Sequence, residues 1–359
     1  MEKTDIKSLS FPELEGLLLE MGEKPYRAGQ VFGWLHQKLV TDFGQMANLP
    51  QRLRKGLEEN CFLAVLETAE VKVSRIDNTC KYLFRLADGN VIESVRMQYH
   101  HGCSVCISSQ AGCRMGCRFC ASTLEGLERN LTASEMLEQV YRIQQQGDGR
   151  VSHIVIMGSG EPFDNYENIV RFLRLVSDER GLNISLRNIT VSTCGIVPGI
   201  RRFAEEGLPV TLALSLHAPN DKVRQKLMPV AKTYPLDEVL EACREYFEKT
   251  GRRLTFEYSL VKGVNDNPGE AAALARLLKG LHGHVNLIPV NPVRERDFVR
   301  SDKRAIQEFK EILERAGIAV TIRREMGRDI QGACGQLRRS FLEKQADRSP
   351  GLGKENEGG

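Results

Sequence analysis

The sequence predicts an α/β fold, a partial (β/α)6 barrel of the TIM type with a small helical region at its N-terminal end. Three observations predict it. From residue 103 onward, stretches of strand and helix character alternate six times, which is the pattern of a parallel, curved sheet. Residues 1–60 carry helical patterning alone. The chain has 359 residues, 41% of them hydrophobic and 27% charged, enough for one large domain and a small appendage and unlike a disordered chain.

The elements follow in order. Ser10 with Glu13 fits a capping box ahead of Leu14, Leu17, Leu18 and Leu19. Helices over 26–39 and 50–60 complete an N-terminal block, 1–60. Lys24, Arg27, His36, Lys38, Arg52, Arg54 and Lys55 punctuate it. Their charge alone favours a solvated helical surface; the functional reading is an RNA-binding accessory domain. A β region fills 61–102, with one strand over 62–74 and a hairpin of 81–86 and 91–97 around Asp88-Gly89.

The core domain is read as 103–340. Its strands are 103–109, 152–157, 188–193, 210–216, 254–261 and 285–290, followed by a last strand at 319–324. Helices are read over 133–146, 169–177, 199–206, 236–249, 271–281 and 303–316. The stretch 341–359, with Ser349-Pro350-Gly351, reads as a disordered tail.

Composition narrows the class. No apolar run is long enough to span a bilayer, and residues 1–10 lack the apolar segment of a secretory signal. A cytoplasmic protein with no membrane partner is therefore expected. The net charge of +3 neither demands nor excludes nucleic acid. Of the ten cysteines, five fall within 103–120. Without an export signal, such clustering points to metal or redox chemistry rather than a disulfide scaffold.

The centre of that cluster is Gly112-Cys113-Arg114-Met115-Gly116-Cys117-Arg118-Phe119-Cys120, a C-x₃-C-x₂-C spacing just after the first barrel strand. Iron–sulfur clusters are held by cysteine thiolates, commonly four. Three close ligands, Cys113, Cys117 and Cys120, suggest a four-iron cluster with one iron open to a ligand. Structural zinc prefers four ligands, usually in two separated pairs, and no second pair lies nearby.

Functional residues of such barrels sit at the C-terminal ends of strands. The second strand ends in Met157-Gly158-Ser159-Gly160-Glu161-Pro162, where glycine lets backbone approach a ligand and Glu161 offers an acceptor for an ammonium group. The third ends in Ser192-Thr193-Cys194-Gly195, the fourth in Ser215-Leu216-His217 and the sixth in Asn286-Leu287-Ile288-Pro289-Val290-Asn291-Pro292. A tight connection explains the glycines equally well, and a lone histidine is more often structural. Cys106 and Cys334 stand apart; each could be an ordinary buried thiol. Glu93 interrupts the apolar face formed by Val91, Val95 and Met97. It is either a partly buried carboxylate with a proton-accepting role or part of a wet hairpin edge.

The cysteine spacing, with Phe119 before the last cysteine, resembles the radical SAM superfamily, in which the open iron chelates S-adenosylmethionine (SAM). Taken with Glu93, Cys106, the strand-end motifs and the segment 322–337, the chain resembles the RlmN family of dual-specificity adenine methyltransferases from roughly residue 10 to 340. The resemblance implies methylation of adenine C2 in 23S rRNA and tRNA. It implies Cys113, Cys117 and Cys120 as ligands of one [4Fe-4S] cluster. Gly160, Glu161, Ser192, Ser215, Leu216, His217 and Asn291 would contact SAM, two molecules of which are used per turnover. Cys334 would become S-methylated, Cys106 would resolve the protein–RNA crosslink, and Glu93 would be the proton acceptor, although Cys106 and Glu93 both remain candidates for taking the C2 proton. Flavodoxin or a similar reductant is an implied partner, and a monomer is expected.

The target base must leave its stack, as in other enzymes that act on bases. Arg114, Arg118, Arg129, Arg323, Arg324 and Arg328 could hold its phosphates or be ion-paired. The nearest rival is a Cfr-type enzyme acting on C8 of the same adenine. Two others are a non-catalytic, zinc-stabilised RNA-binding protein and a radical SAM enzyme acting on a small molecule.

Overall fold

The computed structural model describes residues 3–147, 149–290 and 297–330. Asn291, Cys334 and the 341–359 tail lie outside the described residues.

Helices α1 (Phe11–Glu20), α2 (Tyr26–His36) and α3 (Gln51–Asn60) form the N-terminal block. The Ser10–Glu13 box is present, with Glu13 Oε2 accepting the Ser10 backbone N–H at 2.7 Å. One basic residue departs from the solvated-surface reading. His36 is buried with its Nδ1 2.7 Å from the Tyr141 hydroxyl, and burial depresses its pKa to about 3. The block is fastened to the barrel by a buried ion pair, Lys7 Nζ to Glu138 Oε1 at 2.6 Å. Arg142 and Gln145 add hydrogen bonds to the Leu39 carbonyl.

The rest of the chain builds one ten-stranded sheet in which each strand lies beside the next in sequence. Strands β1 (Glu67–Val73), β2 (Cys80–Arg85), β3 (Val91–Tyr99) and β4 (Gly102–Ile107) pair antiparallel. From β4 the sheet is parallel through β5 (Val151–Ile156), β6 (Ile189–Thr193), β7 (Thr211–Ser215), β8 (Leu254–Leu260), β9 (Gly283–Pro289) and β10 (Ala319–Ile322). The helices α4 (Ala133–Gln146), α5 (Tyr166–Ser177), α6 (Val197–Glu205), α8 (Leu236–Thr250), α9 (Pro268–Leu277) and α10 (Lys303–Arg315) fill the connections, as the sequence pattern predicts. The pattern does not reveal α7 (Asp221–Leu227). It is too short for periodicity to show and begins on an Asn220 cap that accepts from Val223 N–H at 2.9 Å.

Strand alternation sorts the residues. On β8, Leu254, Phe256, Tyr258 and Leu260 join the apolar core with Leu274 and Phe309. Thr255, Glu257 and Ser259 point to the opposite face, the inside of the curve, and are buried too. The outermost strands β1 and β10 are bridged through the segments that follow them. Gly327 N–H donates to Asp77 Oδ2 at 2.9 Å, and Asp329 accepts from Ser74 Oγ at 2.6 Å and Arg75 N–H at 2.9 Å.

Candidate active site

The cysteine loop is set by backbone geometry. After β4 the chain makes a short antiparallel pair, Gln110–Gly112 with Leu127–Asn130. Gly112 has φ +81, and a Cβ there would lie 2.1 Å from the Gly126 carbonyl, so glycine is required. Cys113 N–H donates to that same carbonyl at 2.7 Å. Thr123 Oγ1 donates to the carbonyls of Cys117 and Cys120 at 3.1 and 3.0 Å, and Arg118 N–H donates to Leu227 O on α7 at 2.9 Å. Cys113 and Cys117 are buried and Cys120 is half-buried. Burial, with Cys120, Glu161 and Asp164 nearby, pushes the Cys113 pKa up to about 12, and burial followed by both other thiols raises that of Cys117.

The strand-end residues are bound to one another. Gly160 has φ +111, and a Cβ there would meet Ser109 Oγ at 2.5 Å and Gln110 N at 2.7 Å. Glu161 is buried, which raises its pKa. Its Oε1 accepts from Phe163 N–H at 3.1 Å and its Oε2 from Cys194 N–H at 2.7 Å. The carboxylate thus braces the end of β5 against the end of β6, and an ammonium group would share oxygens already holding N–H donors. Ser192 and Ser215 are half-buried near the ends of β6 and β7. Leu216 has its side chain in the apolar core, so only its main chain can face a ligand.

His217 is held in a left-handed conformation, φ +57. Its Nδ1 accepts from Ser259 N–H at 2.9 Å, and its carbonyl accepts from Asn265 Nδ2 at 2.7 Å. Burial, helped by the charge of Arg224, lowers its pKa to about 3, so the ring is neutral with its proton on Nε2. The ring meets Phe119 edge-on, 4.7 Å between centroids. The aromatic before the last cysteine therefore joins the cysteine loop to the end of β7.

A second group lines the wall at β2–β4. Glu93 is buried, not on a wet edge, and its Oε2 lies 3.1 Å from Lys81 Nζ, which is buried as well. Val95 pairs with Cys106 across β3 and β4, and Lys81 pairs with Val95 across β2 and β3. Glu93, two residues from Val95, shares its face. Cys106 is buried, and burial raises its pKa; Arg323 and Lys81 pull it down, while Glu93 pushes it up. A hydrogen-bond chain links this wall to the cysteine loop. Ser108 Oγ donates to Glu93 O at 2.7 Å and accepts Ser159 N–H at 3.0 Å, and Ser159 Oγ donates to Gly112 O at 3.2 Å.

Sequence reasoning missed Lys81, Ser108, Gln139 and Arg224. Lys81 was findable, because the hairpin around Asp88-Gly89 places it on the face of Glu93. Gln139 clasps both backbone groups of Ser108, donating to its carbonyl and accepting from its N–H; nothing local marks it. Of the arginines proposed for phosphate, Arg114 is paired with Asp164, and Arg129 with Asp88 and Glu135.

Comparison with known proteins fits these observations to a family. The model of the radical SAM superfamily matches residues 107–275, and that of the ribosomal RNA large subunit methyltransferase N-terminal domain matches residues 4–63. A protein of Lachnoclostridium phytofermentans, named as a probable dual-specificity RNA methyltransferase RlmN, is 62% identical over 343 residues, covering 96% of each chain. The chain belongs to the RlmN family. A like-named protein of Lachnospira eligens is 57% identical, over 95% of this chain and 97% of its own. The crystal structure of a radical SAM methyltransferase from Sphaerobacter thermophilus superposes with a TM-score of 0.88 at 45% identity, covering 93% of this chain and 98% of that one. As an RlmN-family member, this chain is an RNA methyltransferase of the radical SAM type.

The family implies a [4Fe-4S] cluster and SAM, and the donor set fits them. The donor chemistry is that of such a cluster: three cysteines on one loop, Cys113 and Cys117 buried and Cys120 half-buried. Cys113, Cys117 and Cys120 in the RlmN-family loop would hold it.

Proposed function

We propose that this chain methylates C2 of adenine in 23S rRNA and in tRNA, through an S-methylcysteine and a protein–RNA crosslink. Bound at Cys113, Cys117 and Cys120, the cluster with SAM supplies a carbon-centred radical. Such chemistry suits C2, which lies between two ring nitrogens and is too electron-poor to attack a methyl electrophile.

The observation that carries the reading is the placing of Cys106. It lies beside Glu93, Lys81 and Arg323, on a wall hydrogen-bonded to the cysteine loop. A thiol there suits a resolving role, and a carboxylate next to it suits a proton acceptor. On this reading Cys334 carries the methyl carbon that becomes bonded to C2. Glu93 or Cys106 takes the C2 proton. The adduct returns one electron to the electron-transfer chain, the Cys106 thiolate attacks the Cys334 sulfur, and the electron pair of the broken sulfur–carbon bond goes to the methylene carbon, which takes a proton to become the methyl group; the Cys106–Cys334 disulfide left behind awaits an external two-electron reductant. Burial keeps Cys106 protonated at neutral pH, so it must lose a proton before it attacks. On this reading Glu93 accepts it. Gly160, Glu161, Ser192, Ser215, Leu216, His217 and Asn291 are assigned to SAM, and flavodoxin or a similar protein to electron supply.

The test is anaerobic reconstitution followed by methylation of 23S rRNA and tRNA substrates, with mass spectrometry of the nucleosides. 2-Methyladenosine in both RNAs is expected. 8-Methyladenosine would overturn the C2 assignment in favour of Cfr-type chemistry. In Cys106→Ala a covalent protein–RNA adduct should accumulate, and in Cys334→Ala no adduct should form.

A further inference from the structure

Arg224 lies on α7 with its side chain wholly buried. Its guanidinium donates to three carbonyls at the ends of two barrel strands: Cys194 O at 2.6 Å, Ser215 O at 3.2 Å and Leu216 O at 3.2 Å. Gly195 makes room for it. It has φ +100, and a Cβ there would come 3.1 Å from Arg224 Nη2. Among the described residues, the remaining nitrogen, Nη1, is buried without a hydrogen-bond partner. A buried cation held by neutral carbonyls, with one donor left over, is costly unless an anion faces it.

The surroundings identify that anion. Burial works against the Arg224 charge, and the groups placed to offset it are, in order, Cys194, Cys117, Asp221 and Cys243. Asp221 is engaged elsewhere as the acceptor of Leu236 N–H at 2.9 Å. Cys117 packs with Val223, Leu227 and Met228, on and just after the same helix. Leu227 O also accepts Arg118 N–H from the cysteine loop. The helix that carries Arg224 is thus seated on the loop that carries Cys117. A four-iron cluster with its thiolates is an anionic unit, and one-electron reduction adds a further negative charge.

We propose that Arg224 is the fixed counter-charge of the iron–sulfur cluster, a positioning residue that raises the cluster's reduction potential while fastening the ends of β6 and β7. A nearby positive charge stabilises the more negative, reduced form, and net charge and hydrogen bonding are the levers that set such potentials. This rests on the assignment of a [4Fe-4S] cluster to Cys113, Cys117 and Cys120.

The test compares the parent, Arg224→Gln and Arg224→Lys, each reconstituted anaerobically. Iron content, thermal unfolding and the cluster midpoint potential are read, the last by redox titration followed by electron paramagnetic resonance. In the Gln variant, with full iron, the reduced-to-oxidised ratio at fixed ambient potential should fall at least tenfold, 59 mV for one electron. The Lys variant keeps a positive charge and should hold the parental potential. A folded, iron-replete Gln variant at the parental potential would overturn the proposal. If the Gln variant does not fold, the Lys variant decides, since a folded Lys variant shifted tenfold would equally overturn it. A parent that binds no cluster would instead overturn the cluster assignment on which the proposal rests.

Discussion

Two walls of the barrel carry cysteines, and they treat charge in opposite ways. The wall of β2–β4 brings its own ions: Lys81 is paired with Glu93, and both, with Arg323, act on Cys106. Around the cysteine loop burial is what chiefly raises the thiol pKa values, Cys120 adds to it at both Cys113 and Cys117, Glu161 and Asp164 add negative charge at Cys113, and His217 opposite is neutral. Arg224 is the cation felt there by Cys117. The first wall pairs its buried charges with its own side chains, Lys81 with Glu93. The second gathers thiols whose pKa values burial raises, the setting that the [4Fe-4S] cluster implied by the family would complete.

The largest break in that contrast is made on the loop. Cys117→Ser should leave the fold intact, remove the iron–sulfur chromophore and lower methyl transfer by roughly 10⁴-fold or more, the scale of losing one member of a unit that acts together. Absorbance and iron analysis check the first outcome, and radiolabelled methyl transfer the second. On the other wall the damage falls on stability. Lys81→Met leaves the Glu93 carboxylate buried beside a methyl group, and breaking a buried pair costs about 3–5 kcal/mol. Chemical denaturation should show that loss with iron content unchanged. If Lys81→Met instead lost iron and kept its stability, the contrast drawn here would fail.

The contrast also shows what the sequence could reveal. The loop was legible because its three cysteines, Cys113, Cys117 and Cys120, fall within one short stretch, and spacing alone carries the signal. The barrel was legible because each strand neighbours the next, so local patterning maps directly onto topology. The wall of Cys106 was half legible: alternation singled out Glu93, yet whether that face was wet depended on β2 bringing Lys81 across. Arg224 was not legible at all. Its helix is seven residues long, and its partners are main-chain carbonyls, which leave no trace in side-chain pattern. Asn291 and Cys334 lie outside the described residues, and their roles rest on resemblance.

A smaller effect sharpens the account of Cys106. Its pKa is raised, mainly by burial. The thiolate fraction, and with it release of the crosslink, should climb about tenfold per pH unit until the thiol titrates. Single-turnover decay of the protein–RNA adduct, followed from pH 6.5 upward, measures this. Lys81 and Arg323 lower that pKa while Glu93 raises it. Glu93→Gln should therefore move the profile toward lower pH, unless loss of a proton acceptor slows the step at every pH.

The smallest effect concerns the neutral side of the contrast. His217 is buried with its pKa lowered to about 3, and His36 in the N-terminal block likewise. The unfolded chain would protonate both near 6.5. Below that pH the unfolded state binds protons that the folded state refuses, so stability falls as pH falls, by about 1.4 kcal/mol per unit per histidine, until the folded pKa is reached. Urea denaturation between pH 7 and pH 4 should show this slope. His36→Gln should remove one proton's share of it without disturbing the cysteine loop. His217→Asn should remove the same share and also lose the Phe119 edge contact that joins the loop to β7. If the two variants differed in acid slope while agreeing in cluster content, His217 would not be the neutral, buried partner of the loop that its hydrogen bonds describe.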